Sequence, residues 1–178
     1  IDGTKSFIQG FPIWGTLISL SRKKEIILGI ADIPALDERY VGYSKISYKI
    51  KNGKKTKLKV RNTEKIKDSI LNTTSPYVFA NKKDQKIFEK IANEVKTVRL
   101  GGDCYSYCLL ADGHIDLVIE SGLKPWDIRA LEPIIINAGG IIKTWEGNGI
   151  FNGGRIIAAT NNKLFKKVKS EMNKKKPS

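Results

Sequence analysis

A chain of 178 residues, 40% hydrophobic and 28% charged, can bury a sizeable core as one large domain or two small ones sharing a face, and its composition is neither disordered nor fibrous. No apolar run reaches the ~20 residues that a membrane-spanning helix needs. The net charge of +14 raises nucleic acid as a partner, but only six of the 32 basic residues are Arg, whose fork suits base and phosphate recognition, so the lysines read as compositional drift and neither a nucleic-acid nor a membrane partner is expected.

The chain opens on Ile1-Asp2-Gly3-Thr4-Lys5-Ser6-Phe7. Asp2 can ligate a hard cation through oxygen, Gly3 allows close backbone approach, and the N–H groups of Gly3 and Thr4 can meet phosphate oxygens. Taken alone, the same string also reads as a turn before a helix. There is no initiating methionine, so an upstream segment is expected.

Ile13 to Leu20 and Glu25 to Ile33 read as strands joined by Ser21-Arg22-Lys23-Lys24, and Asp37 to Gly42 as a third. Lys45 to Lys51 and Lys57 to Val60 flank the hairpin dipeptide Asn52-Gly53. This antiparallel meander needs a cover, and no long amphipathic helix lies in this half to supply one. From about residue 68 strands alternate with helices, which predicts a more parallel, helix-covered sheet and a boundary between domains 1–67 and 68–178.

In the second half, Ser69 to Ser75 is a predicted strand, and Lys83 to Val95 a helix with Ile87, Phe88, Ile91 and Val95 on one face. The strand Thr97 to Leu100 runs into Gly101-Gly102, and Asp103 opens a helix, a turn that leaves N–H groups and a carboxylate facing outward. Cys104 and Cys108, four apart on that helix, are expected as buried free thiols, consistent with a reducing cytoplasm. His114 sits in a surface turn before the strand Ile115 to Glu120.

Glu120 and Asp127 are separated by a Gly- and Pro-containing stretch, with Asp127 at the start of a helix predicted to run to Ala138 and stop at Gly139-Gly140. Pro133 should cost that helix a hydrogen bond or a kink. Strands at Ile141 to Thr144 and Ile156 to Ala159 follow, then a helix capped by Asn161 or Asn162 with a stripe of Leu164, Phe165, Val168 and Met172, and a frayed tail from Lys174 to Ser178.

Ile1-Asp2-Gly3-Thr4 and Trp126-Asp127, with Ala138-Gly139-Gly140 after them, resemble in order and spacing the two signature motifs of the inositol monophosphatase-like family of magnesium-dependent phosphatases. Leu100-Gly101-Gly102-Asp103-Cys104-Tyr105, with Leu117-Val118-Ile119-Glu120 and Ser121-Gly122-Leu123-Lys124-Pro125, resembles its histidinol-phosphatase branch. The resemblance implies an α+β fold, a layered α-β-α-β-α sandwich missing its N-terminal helices. It implies two or three Mg²⁺ ions, with Asp2, Asp127 and the Ile1 carbonyl as ligands, Gly3 and Thr4 on the phosphate, and Thr4 and Asp2 in the catalytic set. Asp103, Glu120 and Asp127 would face the substrate, where carboxylates suit an amine or imidazole. The implied reaction is hydrolysis of histidinol phosphate or, in the alternative, inositol phosphate or another small phosphomonoester; a homodimer is compatible. A non-catalytic basic binding module is the reading from a different class. The family's Asp-Pro before the residue matched by Ile1, and an upstream metal-binding Glu, lie outside the sequence. The 178 residues alone are therefore expected to be inactive or nearly so, and the full-length protein to be a phosphatase.

Overall fold

The computed structural model describes residues 1–174, and most of the expected tail, residues 175–178, lies outside the described residues. Two five-stranded sheets organise the chain. The first is an antiparallel meander of β1 (Thr16–Arg22), β2 (Glu25–Ile33), β3 (Glu38–Tyr43), β4 (Ile46–Lys51) and β5 (Lys54–Lys57) in sequential order. The second contains β6 (Ile70–Thr73), β7 (Thr97–Leu100), β8 (Leu117–Leu123), β9 (Ile141–Thr144) and β10 (Gly154–Ala159) in the order β7-β6-β8-β10-β9. Six α-helices accompany them among the described residues: α1 (Thr4–Gln9), α2 (Lys82–Ala92), α3 (Asp103–Ala111), α4 (Pro125–Ile128), α5 (Leu131–Asn137) and α6 (Asn162–Asn173).

The layers follow from which faces are apolar. Helices α3 and α5 lie between the two sheets, where Ala31, Ile33 and Tyr40 of the first sheet meet Cys108, Leu131, Ile134 and Ile135 and then Val118, Ile156 and Ala158 of the second. Helices α2 and α6 cover the far face of the second sheet, burying Leu71, Leu117, Ile119 and Ile157 with Phe88, Ile91, Leu164, Phe165 and Val168. The cover for the meander thus comes from the second half of the chain. Its outer face carries two cross-strand rows, Leu20, Leu28, Tyr43, Ile46 and Ile18, Ile30, Val41, Tyr48; Ile18, Leu20, Tyr43 and Ile46 are each about half exposed.

Several expectations are corrected. The hairpin turn is tight, with Asn52 at φ 49° and Gly53 at φ 69° and Lys51 paired to Lys54. The return strand therefore spans Lys54–Lys57 rather than starting at Lys57; it is exposed throughout and carries no apolar pattern to betray it. The second sheet is mixed: β6 runs parallel to β7 and β8, but β10 is antiparallel to β8 and β9. The helix expected from Asp127 to Ala138 is two helices, broken at Arg129-Ala130, which puts Pro133 in the first turn of α5, where its missing N–H costs no intrahelical bond. Strand β8 continues through Ser121-Gly122-Leu123, three residues beyond its expected end at Glu120.

The helix α5 seats directly on backbone. Gly29 and Gly42 pair across β2 and β3, and a Cβ at either would overlap α5: at Gly29 the Ala130 carbonyl, at Gly42 the Pro133–Ile134 peptide. Glycine is needed here for closeness and not for an unusual φ. Gly29→Ala is expected to lower the unfolding free energy by about 3 kcal/mol through overpacking, measured by urea denaturation; an unchanged midpoint would show that α5 can lift away freely.

Candidate functional site

The site is built around a helix start that has no cap of its own. Gly101, Gly102 and Asp103 are successive left-handed residues with φ of 86°, 123° and 43°, which reverse the chain from β7 into α3. Gly102 occupies the N-cap position without a side-chain acceptor. Asp2, 102 residues away in sequence, supplies one: its Oδ2 accepts the Cys104 N–H at 2.8 Å. Asp2 is held there by reciprocal backbone hydrogen bonds with Gly15, Asp2 N–H to the Gly15 carbonyl at 2.8 Å and Gly15 N–H to the Asp2 carbonyl at 3.0 Å.

Around this clamp the other opening residues take their places. Gly3 adopts φ 77° beside Trp14 and the Asp103 carboxylate, so an added Cβ would meet Asp103 Oδ2 at 3.1 Å and the Trp14 Cα at 3.2 Å. Thr4 begins α1, and its hydroxyl donates to the Ile1 carbonyl at 3.3 Å. Ser6 donates to Asp103 Oδ2 at 2.9 Å, and Phe7 meets Trp14 edge to face with ring centroids 4.9 Å apart. Asp103 opens α3 as expected, and its carboxylate faces α1.

Glu120 projects from β8 and is 2% exposed. One of its oxygens, Oε1, accepts the Thr74 N–H at 2.6 Å from the end of β6. Burial pushes its pKa up to about 7; the Thr74 N–H acts against that rise, and the Asp103 and Asp2 charges add to it. Asp127 is the third residue of α4, and its Oδ2 accepts the Lys124 N–H at 2.7 Å, capping its own helix. Asp2 is likewise raised above the usual carboxylate range, first by burial and then by Asp103 and Asp127, against the opposing Cys104 hydrogen bond.

The opening segment, the β7–α3 turn and the stretch from β8 into α4 therefore bring Asp2, Asp103, Glu120 and Asp127 into one electrostatic neighbourhood toward the carboxyl ends of the parallel strands, where ligands bind in open α/β sheets. Among the described residues no three His, Cys, Asp or Glu side chains close into a metal-holding group. The available donors nevertheless suit a hard divalent cation: they are all oxygen, Asp2 and Asp127 each commit only Oδ2 to a protein N–H, and repulsion among the carboxylates is relieved by a cation.

Residues not singled out in the sequence complete the floor. Asn72 donates to the Ser106 hydroxyl at 3.3 Å, while its Oδ1 is buried without a partner. The Tyr107 hydroxyl is also buried and unpartnered, its ionisation suppressed first by burial and then by Glu120, Asp2 and Asp127. The i, i+3, i+4 spacing of Asp103, Ser106 and Tyr107 marks this face of α3 and is the signal that would have found them. The two cysteines are free and buried as expected, and the exposed His114 lies 3.4 Å from Asp112, in the turn after α3.

Comparison with known proteins defines the class. Residues 1–176 match the model of the inositol monophosphatase family, and the chain belongs to that family, whose members are metal-dependent phosphatases. Among solved structures, an inositol monophosphatase from Zymomonas mobilis superimposes with a TM-score of 0.91 at 39% identity, covering 98% of this chain and 68% of that one. Among curated relatives, the chloroplastic bifunctional phosphatase IMPL2 of Arabidopsis thaliana is 47% identical over 152 residues, covering 83% of this chain and 41% of that protein. A histidinol-phosphatase of Mycobacterium tuberculosis is 30% identical over 97% of this chain and 67% of its own length. The chain thus spans between 41% and 67% of these two curated relatives.

The Glu120 environment sets a pH dependence. Its folded pKa of about 7 exceeds the ordinary 4.5, so the folded state holds a proton that the unfolded chain has released, and stability falls as pH rises between those values. In urea titrations across that interval Glu120→Gln should lose this component of the fall; a variant whose pH profile parallels the parent's would contradict the assignment.

Proposed function

We propose that the protein is a Mg²⁺-dependent phosphomonoesterase whose substrate is histidinol phosphate, with inositol phosphate and other small phosphomonoesters as the alternative. The observation that carries this reading is the convergence of Asp2, Asp103, Glu120 and Asp127 beside the left-handed Gly3 turn. Asp2 and Asp127, with the Ile1 carbonyl, would hold the cation. Bound Mg²⁺ would supply charge neutralisation on the phosphate and a more acidic bound water. The Gly3 and Thr4 N–H groups would orient phosphate oxygens, and the Thr4 hydroxyl would orient the attacking water. Glu120 and Asp103 would receive the substrate's cationic end, the feature that separates an amino alcohol from a polyol. Similarity to the histidinol-phosphatase of Mycobacterium tuberculosis supports that choice, and a reducing compartment such as the cytoplasm accords with it.

Two carboxylates and one carbonyl fill about half of the six-fold shell that Mg²⁺ demands. We therefore propose that the 178 residues by themselves bind Mg²⁺ weakly and turn over slowly. Calorimetric titration should show Mg²⁺ binding that Asp127→Asn abolishes; identical isotherms for the two would refute Asp127 as a ligand.

Substrate choice has its own test. Glu120→Gln should reduce phosphate release from histidinol phosphate by about tenfold or more, the value of one charge-assisted contact, and leave release from inositol 1-phosphate within about threefold. Equal losses on both substrates would favour the inositol-phosphate alternative.

A further inference from the structure

On the face of the second sheet opposite the carboxylates, α2 and α6 border a cleft of about 1420 Å³. Its lining includes seven cationic side chains against three carboxylates. Lys82, Lys86 and Lys90 recur at i, i+4 and i+8 on α2, a like-charge row that is unfavourable on a helix, and α6 adds Lys169 across the gap. Lys90 is satisfied by Glu171 at 3.0 Å, but Lys82, Lys83 and Lys86 make no ion pair among the described residues. Lys169 spends its ammonium on the Glu146 carbonyl at 2.7 Å rather than on a carboxylate. Apart from the Lys90–Glu171 pair, Lys82, Lys83 and Lys86 of α2 and Lys169 of α6 thus border one cleft with charges of the same sign, a field that concentrates anions.

The floor is of a different kind. Ile87 and the small open edges of the otherwise buried Trp145 and Met172 contribute apolar surface, and the Arg155 guanidinium, paired with Asp84 and Glu146, lies 5.4 Å from the Trp145 ring centroid. A cation row above an aromatic and aliphatic floor suits a ligand that is highly anionic at one end and flat and apolar at the other. We propose that the α2–α6 cleft is a second binding site, separate from the carboxylate site, for a nucleoside-polyphosphate class of ligand. The floor also leads back toward the substrate side. Arg155 holds the buried Asp84 at 3.2 Å, Asp84 accepts the Ser121 hydroxyl at 2.5 Å, and Ser121 follows Glu120 in β8. A phosphate drawing Arg155 away from Asp84 would therefore act on the strand that carries Glu120.

The test is equilibrium binding to the 178-residue chain in Mg²⁺-free buffer, which keeps the carboxylate site silent, with ATP, tripolyphosphate and adenosine as probes. ATP should saturate with a Kd below roughly 1 mM at ~150 mM KCl and bind more tightly than either of the other probes. Lys82→Ala/Lys86→Ala, which removes two surface charges outside the core, should weaken ATP by about tenfold, and Asp127→Asn should leave it unchanged. In ¹⁵N spectra the Ser121 amide should shift on ATP binding. Absent saturation, a double variant that binds like the parent, a matching loss in Asp127→Asn, or tripolyphosphate equal to ATP would each overturn the proposed site, and a motionless Ser121 amide would overturn the link to β8.

Discussion

The hydrogen bond from the Cys104 N–H to the Asp2 carboxylate is the constraint from which the rest of the site follows. It spans 102 residues and joins the opening segment to α3, while the Asp2–Gly15 bridge joins the same residue to the first sheet. A helix N-terminus and a carboxylate satisfy each other here, since the N–H lacks an intrahelical partner and the dipole end favours negative charge. The Asp2 carboxylate is nevertheless raised by burial, so one N–H does not fully offset its desolvation. The residue is held in position but left electrostatically unsatisfied, which is the condition under which a cation would be most strongly attracted to it.

The same division appears at the other carboxylates. Glu120 accepts the Thr74 N–H and Asp127 accepts that of Lys124, so both are oriented by backbone, and both hydrogen bonds use one oxygen of two. Backbone donors are fixed by the sheets and helices that carry them, so the site's geometry is inherited from the fold rather than from flexible side-chain pairs. The Gly29–Gly42 notch has an indirect part in this. By letting α5 lie against the first sheet, it fixes the α3–α5 layer between the sheets, and with it the helix whose start Asp2 caps.

Much of this was legible in the residues, for identifiable reasons. Strand β7 and the stripe of α6 follow the expected pattern because period and capping residue agree there, with Asn161 accepting the Leu164 N–H. The carboxylate types and their order along the chain could be read directly. What could not be read was pairing at a distance. Nothing in Gly101-Gly102-Asp103 says that the α3 cap comes from residue 2, and nothing in Pro133 says that a helix break at Arg129-Ala130 will move it into a first turn. Strand β5 escaped because Lys54-Lys55-Thr56-Lys57 has no apolar face; its existence depends on the Asn52-Gly53 turn and on β4, and not on its own side chains.

Burial explains why residue type alone understated Glu120. Glu120 is the expected end of its strand, yet β8 continues three residues beyond it and lies in the middle of the second sheet, flanked by β6 and β10. Burial pushes the pKa of a carboxyl group at that depth up to about 7, so which protonation state prevails near neutrality would depend on what sits opposite it. A cationic substrate group would draw it into the ionised form, whereas a neutral polyol would leave the proton in place. On the proposed reading, the same strand position would distinguish two phosphate esters that the Gly3-Thr4 turn and the Asp2–Asp127 pair, assigned there only to phosphate and cation, would treat alike.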